Sequence, residues 1–356
     1  MPATVFIDLG AMSQNIKIIN ELCAADKVTI TAVTKGILAN SAIIKILVNN
    51  GINDFADSRL ANLKMIRHYG YDCYLSLLRS PEIEEIEDTI KIVDCSFNSE
   101  INTICRISEK AVEKNLIHDI VLMIDLGDRR EGILPSELEK VIDSISKLKN
   151  INIRGIGTNL GCISGIPYTK DKMEELCSLG EKVSNLLRRD ISVISGGSTG
   201  ALNLLYDGHM PIGINNLRVG TALFLGSSQA GLKIPGLDIN SFVLEAEIIE
   251  LKKKPFLRNE SVGKDAFGNI PSFDNKGEML RAILSIGRQD VVPESLIPKD
   301  DKIRFIAASS DHIVLDVTKS DKKYKVGDKI KFNMNYSAML YLMNSDYVKK
   351  VYKGYF

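Results

Sequence analysis

Short apolar runs and longer amphipathic segments alternate along the chain from about residue 28 to residue 226. The apolar runs have the length of buried strands, and the segments between them have helical periodicity. The predicted strands are Val28–Thr34, Asn53–Asp57, Asp72–Leu77, Lys91–Ser96, Ile120–Leu126, Ile153–Leu160, Ser192–Gly196 and Leu217–Leu225. The predicted helices include Ala42–Val48, Leu60–His68, Pro81–Thr89, Ser99–Lys114, Pro135–Leu148 and Asp171–Arg188. Eight strands separated by helices predict an α/β fold, a (β/α)8 TIM-type barrel, with a doubly wound open sheet as the alternative.

The pattern changes after residue 226, where apolar runs follow one another without comparable helices between them. These runs are Ser241–Leu251, Arg281–Ile286, Ile303–Ala308, Ile313–Val317 and Lys329–Met334. Turn signals such as Lys325-Val326-Gly327-Asp328 separate them, which is typical of antiparallel strands. We therefore expect a barrel over residues 1–234 and a smaller, mostly antiparallel C-terminal β domain over residues 235–356. The early run Thr4–Asp8 precedes the first helix, so residues 1–8 are candidates for the sheet of that β domain.

The amino-acid composition argues against several classes of partner and of binding site. The 356 residues include 45 basic and 45 acidic side chains with no dense basic tract, which argues against nucleic acid or an anionic membrane as the partner. There is no apolar stretch of membrane-spanning length and no signal-peptide pattern at the N-terminus. The six cysteines form no C-x-x-C pair, and the four histidines lack metal-ligand spacing. We expect a cytoplasmic, metal-free enzyme or binding protein.

Polar groups lie at the ends of the predicted strands. In a (β/α)8 barrel the active site lies at the carboxyl ends of the strands. The first strand ends at Lys35, the second at Asp57, and the eighth carries Arg218. A strand-end lysine is often only a surface residue, but an amine held in a dry pocket loses its proton more easily and becomes a nucleophile toward carbonyl groups. The polar groups at these strand ends together favour a nucleophilic amine over a plain surface residue for Lys35.

The seventh strand ends in a Gly/Ser turn, Ser195-Gly196-Gly197-Ser198-Thr199-Gly200. Glycines let backbone amides approach an anion, and the two hydroxyl groups add donors. The loops after strands seven and eight are the usual phosphate site of this barrel. A plain turn is the alternative interpretation. A phosphate site together with a strand-end lysine suggests a phosphorylated carbonyl cofactor, and pyridoxal 5'-phosphate (PLP) fits both features.

The chain resembles the fold-type III PLP enzymes of the alanine racemase superfamily, and most closely their ornithine racemase branch. The resemblance spans nearly the whole chain. It is carried by Ala32-Val33-Thr34-Lys35, Phe55-Ala56-Asp57-Ser58-Arg59, Met123–Gly132, Ser195-Gly196-Gly197-Ser198-Thr199, Asn216-Leu217-Arg218-Val219-Gly220, Asp265–Asn269, Ala282–Asp290 and Ala308–His312.

The resemblance implies a role for each matching residue. Lys35 would hold PLP covalently as a Schiff base and move the proton on one face of the substrate. Arg218 would face the pyridine nitrogen and keep it unprotonated, because a guanidinium holds its own proton. Arg130 would contact the phenolic oxygen of the cofactor or the substrate carboxylate, and Arg129 is an adjacent competitor for that role.

The resemblance also implies the phosphate ligands. Ser198, Thr199 and Gly220 would hold the phosphate, and Tyr336 from the β domain would assist them. Asn159 stands on strand six where alanine racemases carry a histidine, and it falls among the cofactor-binding positions.

The acid/base on the opposite face of the substrate departs from the family pattern. Alanine racemases use a tyrosine there, and Asp265 occupies its place in this chain. Ala39 likewise stands where they have a tyrosine after the first strand. The candidates for the opposite-face group are Asp265, Asp290, His312 and Cys162. Asp265, Asp290 or Asp311 would alternatively pair with a distal ammonium on the substrate.

The function that the resemblance implies is a PLP-dependent racemase of a basic amino acid, with ornithine first and lysine or arginine next. A homodimer with shared active sites is implied as well. The alternatives are an alanine racemase, a decarboxylase of the same fold, a PLP-binding protein without strong catalysis, and a barrel enzyme in which Lys35 only clamps a phosphate. The decarboxylases usually carry a cysteine motif in the β domain, whereas all six cysteines here precede residue 180.

Overall fold

The computed structural model describes residues 2–228, 231–254, 263–264, 266–268, 270 and 278–354. In chain order, the strands are β1 (Thr4–Asp8), β2 (Thr29–Val33), β3 (Asp54–Asp57), β4 (Tyr74–Leu77), β5 (Cys95–Asn98), β6 (His118–Ile124), β7 (Ile151–Thr158), β8 (Val193–Ser198), β9 (Asn216–Val219), β10 (Phe242–Lys254), β11 (Met279–Leu284), β12 (Leu296–Pro298), β13 (Arg304–Ala308), β14 (Ile313–Asp316), β15 (Lys329–Met334) and β16 (Lys349–Lys353). The helices are α1 (Leu9–Ala25), α2 (Ser41–Asn49), α3 (Leu60–His68), α4 (Ile86–Ile92), α5 (Ile101–Lys114), α6 (Leu138–Ile145), α7 (Lys170–Leu187), α8 (Leu202–Tyr206), α9 (Thr221–Leu225) and α10 (Tyr336–Asn344). Among these described helices, none has the length and apolar character that a membrane crossing requires.

The chain divides into two compact units, which are Met12–Asp238 and the combination of Met1–Ala11 with Ile239–Phe356. The first unit contains a closed barrel of parallel strands in the order β2 to β9, and β9 pairs with β2 to close it. The (β/α)8 prediction is therefore confirmed, and the open sheet is excluded.

The barrel has a packed interior and an outer helical layer. Inside, neighbouring strands β5 and β6 contribute one apolar cluster, formed by Cys95, Phe97, Val121 and Met123. Outside, α4 and α5 pack against each other through Ile86, Ile90 and Ile107. The helices lie over the outer faces of the strands, so the strand ends remain to form the two rims.

Two predicted strands included residues that belong to neighbouring helices. Lys91 belongs to the last turn of α4, and the strand begins only at Cys95. The run Leu217–Leu225 contains the strand β9 and then the helix α9, with Gly220 between them. Periodicity does not distinguish a fully buried strand from a short buried helix, because both consist of a continuous apolar run.

The second unit is built on a mostly antiparallel sheet. Its strand order is β12-β15-β10-β11-β14-β13, and β1 also belongs to it. Strand β1 pairs antiparallel with β10, where Val5 lies opposite Leu244, and parallel with β16. The long strand β10 pairs with β15 in its first half and with β11 in its second, with a bulge between Ile248 and Glu250.

Among the described residues of this unit, two strands and one α-helix were not predicted. Strand β12 has three residues, and β16 reads Lys-Lys-Val-Tyr-Lys, so neither has the apolar alternation that indicates a strand. Helix α10 follows β15 directly, and its amino end is capped by the side chain of Asn335, which accepts from the backbone N–H groups of Ser337 and Ala338.

Candidate active site

Lys35 follows strand β2 and begins a short 3-10 turn, Lys35–Ile37. Its side chain is only half-buried by area, yet burial lowers the pKa of its amine from the ordinary value of 10.5. The charges that act on it come from Cys162, Arg130, Asp57 and Glu131, in order of decreasing effect. The strand-end lysine therefore lies among titratable groups contributed by three other strand ends, as the strand-end pattern predicted.

The backbone before Lys35 is held by a buried carboxylate at the end of β3. Asp57 accepts hydrogen bonds from the Thr34 hydroxyl at 2.7 Å, the Asn62 side chain at 3.1 Å and the Arg59 backbone N–H at 2.8 Å. Burial raises the pKa of Asp57, although these three bonds oppose that rise. Because Thr34 immediately precedes Lys35, this clamp fixes the direction in which the lysine leaves the strand.

Arg218 lies inside the barrel on β9 and is 5% exposed. Its Nη1 donates to the Ser195 hydroxyl and its Nη2 to the Thr158 carbonyl oxygen, both at 2.6 Å. The guanidinium also lies 5.1 Å from the centre of the Phe97 ring. Burial lowers the pKa of Arg218 to about 10, so it remains protonated at neutral pH. The structure therefore holds a cation at a fixed place in the barrel.

A series of hydrogen bonds between polar side chains supports Arg218 through Ser195. The Ser195 hydroxyl donates to Asn216 Oδ1 at 2.6 Å, and Asn216 Nδ2 donates to the Thr31 hydroxyl at 2.9 Å. Because its proton goes to Asn216, the Ser195 oxygen presents only lone pairs to Arg218. Gly157 leaves room for the guanidinium, since a Cβ there would lie 3.2 Å from Arg218 Nη1, closer than an ordinary contact.

The turn after β8 and the residue after β9 are joined by Thr199. Its hydroxyl oxygen accepts from the backbone N–H groups of Gly220 at 3.4 Å and Ala222 at 3.5 Å. These two bonds occupy the lone pairs of the Thr199 oxygen, so its proton is available to another acceptor. Ser198 is half-buried beside it. Gly220, which comes from a different part of the chain, is therefore a neighbour of Ser198 and Thr199 here.

Arg130 and Asn159 are both engaged by protein groups. Arg130 forms a two-pronged ion pair with Glu131, and its Nη1 donates to Cys162 Sγ at 3.0 Å. Asn159 Nδ2 lies 3.5 Å from Asp128 Oδ2. Asp128 is almost fully buried and also accepts from the backbone N–H groups that follow Gly161, at 2.9 and 3.1 Å. The loop that carries Cys162 is thereby tied to the rim.

Tyr168 is a site residue that the sequence analysis missed. Its hydroxyl oxygen accepts from the backbone N–H groups of Leu160 at 3.1 Å and Ser198 at 3.0 Å. It also lies 3.4 Å from Asn159 Oδ1 and 3.0 Å from Ser198 Oγ. The tyrosine follows β7 by ten residues in an irregular loop, so neither periodicity nor motif spacing marks it.

The remaining predicted residues belong to the sheet unit. Asp290 Oδ1 accepts from the Ser345 hydroxyl at 2.6 Å, and His312 is exposed with its Nδ1 3.5 Å from Ser309 Oγ. The turns that carry Asp290 and His312 lie side by side, because Arg288 N–H donates to the Ser309 carbonyl oxygen at 2.9 Å. Tyr336 begins α10, and Asp265 lies outside the described residues.

Comparison with known proteins decides the family. The family model for the alanine racemase N-terminal domain matches residues 7–228. An ornithine racemase of Acetoanaerobium sticklandii is 39% identical over 348 residues, which cover 97% of this chain and 98% of that protein. This chain belongs to the alanine racemase family. A lysine racemase of Thermotoga maritima is 37% identical over 350 residues, with 98% of each chain covered.

The folds of family members agree with the architecture described above. An alanine racemase of Bartonella henselae, solved with covalently bound pyridoxal phosphate, superposes with a TM-score of 0.75 at 18% identity. The match covers 99% of this chain and 100% of that one. At this identity the likeness concerns the fold, which both chains share from end to end.

The side chains at the strand ends and inside the barrel fit pyridoxal phosphate, the cofactor bound in the Bartonella henselae alanine racemase. Lys35 supplies an amine whose pKa burial lowers, which favours the neutral form that attacks an aldehyde. Arg218 is a buried cation with two of its nitrogens already committed to protein acceptors. The Thr199 hydroxyl has a free proton to donate, and Ser198 lies next to it. An amine, a fixed guanidinium and a hydroxyl-rich turn match an aldehyde, a pyridine nitrogen and a phosphate.

Proposed function

We propose that this protein is a PLP-dependent racemase that interconverts the L- and D-forms of a basic amino acid, with ornithine as the first candidate substrate. The observation that carries this proposal is the pair of full-length relatives at 39% and 37% identity, named ornithine racemase and lysine racemase. The second relative supports lysine as the next candidate. The alanine racemases among the relatives are more distant, at 22 to 29% identity.

The residues that we propose to hold PLP are those that the family pattern implies, and the site geometry supports them. Lys35 would bind the aldehyde carbon, Arg218 would face the pyridine nitrogen, and Ser198, Thr199 and Gly220 would receive the phosphate. We add Tyr336 of the sheet unit as a further phosphate ligand, on the family pattern. When bound, PLP delocalises the charge left on the substrate α-carbon after a proton is removed.

Lys35 would move the proton on one face of the substrate, since its amine becomes free when substrate replaces it. A racemase needs a second acid/base on the other face. We propose that one of four groups supplies it, namely Asp265, Asp290, His312 or Cys162. Cys162 belongs to the barrel unit and acts electrostatically on Lys35, whereas Asp290 and His312 belong to the sheet unit.

We further propose a homodimer in which each subunit completes the site of the other. Sedimentation of the purified protein should give twice the subunit mass of 39.4 kDa. A monomer with full activity would contradict the shared site.

The cofactor part of the proposal is tested by reduction with borohydride. The purified protein should be yellow, and borohydride should bleach it and fix the pyridoxyl group on the peptide that contains Lys35. Lys35→Ala should bind PLP weakly, without a label on that peptide. A colourless wild-type protein that takes up no PLP would overturn the proposal.

The substrate part is tested by chiral chromatography of ornithine, lysine, arginine and alanine after incubation with the enzyme. We expect kcat/KM to be highest for ornithine, with lysine second. Faster racemisation of alanine than of either basic amino acid would contradict the assignment.

A further inference from the structure

The turn predicted to bind phosphate is held by a side chain from a different loop. Tyr168 follows β7, whereas Ser198 and Thr199 follow β8, and the two segments meet at the Tyr168 hydroxyl. Within hydrogen-bonding distance of this oxygen are the Leu160 and Ser198 backbone N–H groups at 3.1 and 3.0 Å. Two side-chain oxygens, Ser198 Oγ at 3.0 Å and Asn159 Oδ1 at 3.4 Å, complete its surroundings.

The number of donors and lone pairs at the Tyr168 hydroxyl determines whether the Ser198 hydroxyl keeps its proton for another acceptor. A phenol oxygen has one proton and two lone pairs to share. The two backbone N–H groups occupy the lone pairs, so the Ser198 hydroxyl has no acceptor left on Tyr168. The phenol proton goes to Asn159 Oδ1 or to Ser198 Oγ, and in both arrangements Ser198 keeps its own proton. Ser198 is thereby left with a donor for an anion at the turn.

The Thr199 hydroxyl likewise keeps its proton for another acceptor. Its oxygen accepts from Gly220 and Ala222, which leaves its proton to be donated. Two adjacent hydroxyl groups with uncommitted protons are suited to a phosphate, whose oxygens are strong acceptors. Tyr168 holds the Ser198 member of this pair in place through its contacts with the Ser198 backbone N–H and Oγ.

The tyrosine ring also determines the backbone of the turn. A Cβ on Gly197 would lie 2.2 Å from Tyr168 Cε1, and one on Gly200 would lie 2.9 Å from Cε2. Gly197 also has a φ of 115°, in the region that favours glycine. The two glycines therefore leave room for the ring, in addition to any closeness they allow to a ligand.

We infer that Tyr168 is a positioning residue for the phosphate group of the cofactor, acting through Ser198. This inference rests on the proposed function, since it assumes that the turn receives the phosphate of PLP. Tyr168→Phe retains the ring above Gly197 and Gly200 and removes only the hydroxyl. Pyridoxal, which has the aldehyde and the ring but no phosphate, is the matched probe.

The test compares PLP and pyridoxal binding to the full-length apoprotein by absorbance titration. Loss of the Tyr168 hydroxyl bonds should raise the Kd for PLP about tenfold and change the Kd for pyridoxal by less than about twofold. Tyr74→Phe is the control, because it removes a hydroxyl bond of 2.7 Å to Asp119 at the opposite end of the barrel. It should leave both constants unchanged, and the thermal midpoints of all proteins show that they are folded.

A double-mutant cycle tests the route through Ser198. If Tyr168 acts through Ser198, the combined variant with Ser198→Ala should lose less PLP affinity than the product of the two single losses. Independent, multiplicative losses would overturn the inference. Equal losses for PLP and pyridoxal, or an unchanged Kd for PLP in Tyr168→Phe, would overturn it too.

Competition between inorganic phosphate and PLP distinguishes failure of this inference from failure of the proposed function. In the wild-type apoprotein, phosphate should compete with PLP, and Tyr168→Phe should weaken that competition by the same factor as it weakens PLP binding. A wild-type protein that binds neither PLP nor phosphate would refute the proposed function itself. Normal PLP binding that phosphate does not compete for would refute only the role of the turn, and with it the inference about Tyr168.

Discussion

The guanidinium of Arg218 donates a hydrogen bond of 2.6 Å to the hydroxyl of Ser195, inside the barrel and away from water. The hydroxyl can accept this bond because its own proton goes to Asn216. One serine therefore determines how a buried cation is oriented.

Replacing Ser195 by alanine should weaken both stability and activity. Arg218 would keep its bond to the Thr158 carbonyl oxygen but lose one partner in a buried place, which costs about 1–3 kcal/mol. We expect a lower thermal midpoint and a reduced kcat. Ser192→Ala is the matched control, because its hydroxyl makes an exposed bond of 3.3 Å to a backbone carbonyl oxygen. Equal midpoints and kcat values for the two variants would show that Ser195 does not support Arg218.

The reactivity of Lys35 should depend on pH with a midpoint below 10.5. Only the neutral amine attacks an aldehyde, so the trapped fraction rises with pH as the proton leaves. Burial lowers the pKa of Lys35, which moves this rise to lower pH than for a free lysine side chain. The measurement is borohydride trapping of pyridoxal by the apoprotein across a pH series, with an N-acetyl-lysine amide as the reference. Coincident curves would contradict the effect of burial.

A buried histidine at the start of β6 should make the fold sensitive to acid. His118 Nε2 lies 2.9 Å from Ser96 Oγ, and burial lowers the pKa of His118 from 6.5 to about 4. As pH falls through this window, the unfolded chain binds a proton that the folded chain does not. The contribution of His118 to stability is therefore complete above about pH 6.5 and is lost as pH falls toward 4, by up to about 3 kcal/mol.

His118→Gln measures this effect, since it retains a hydrogen-bonding group without titrating. The thermal midpoint should fall less between pH 7 and pH 4.5 in the variant than in the wild type. Asp54 is present in both proteins, and burial raises its pKa to about 6, so its opposite effect cancels from the comparison. The same change of midpoint in both proteins would exclude His118 as the source.

The opposite-face acid/base should be revealed by variants of the four candidate groups. These are Asp265→Asn, Asp290→Asn, His312→Gln and Cys162→Ala. We expect one of them to abolish racemisation of every substrate, because that group moves a proton. A variant that loses only an ammonium anchor should instead relax the preference for ornithine over alanine. Four variants with wild-type rates would place the group elsewhere in the protein.

The barrel was predictable because its strands are separate short runs bounded by turn signals, and most of them are followed by a segment of helical periodicity. The end of β9 was missed because Leu217–Leu225 is a mostly apolar run with no turn signal other than Gly220, and a short buried strand followed by a short buried helix gives the same pattern as one longer strand. Lys35 could be found from its place at a strand end. The proposed role of Arg218 came from the family resemblance, although its place on a strand was visible in the sequence.

Tyr168 and Asp128 show where prediction from the sequence stops. Tyr168 lies in an irregular loop, and its importance comes from contacts with Leu160 and Ser198 that only the closed barrel creates. Asp128 was visible within a conspicuous segment, but its bonds to the loop after Gly161 depend on the path of that loop. Contacts between loops leave no periodic signal along the chain.

Incubation of L-ornithine with the enzyme in deuterated water tests the central claim most directly. A racemase that removes and returns the α-proton should yield D-ornithine carrying α-deuterium, and the optical rotation should decay to zero. The same end point should be reached from D-ornithine, and Lys35→Ala should reach it from neither. Deuterium incorporation without inversion, or no exchange at all in the yellow protein, would contradict the proposed racemase.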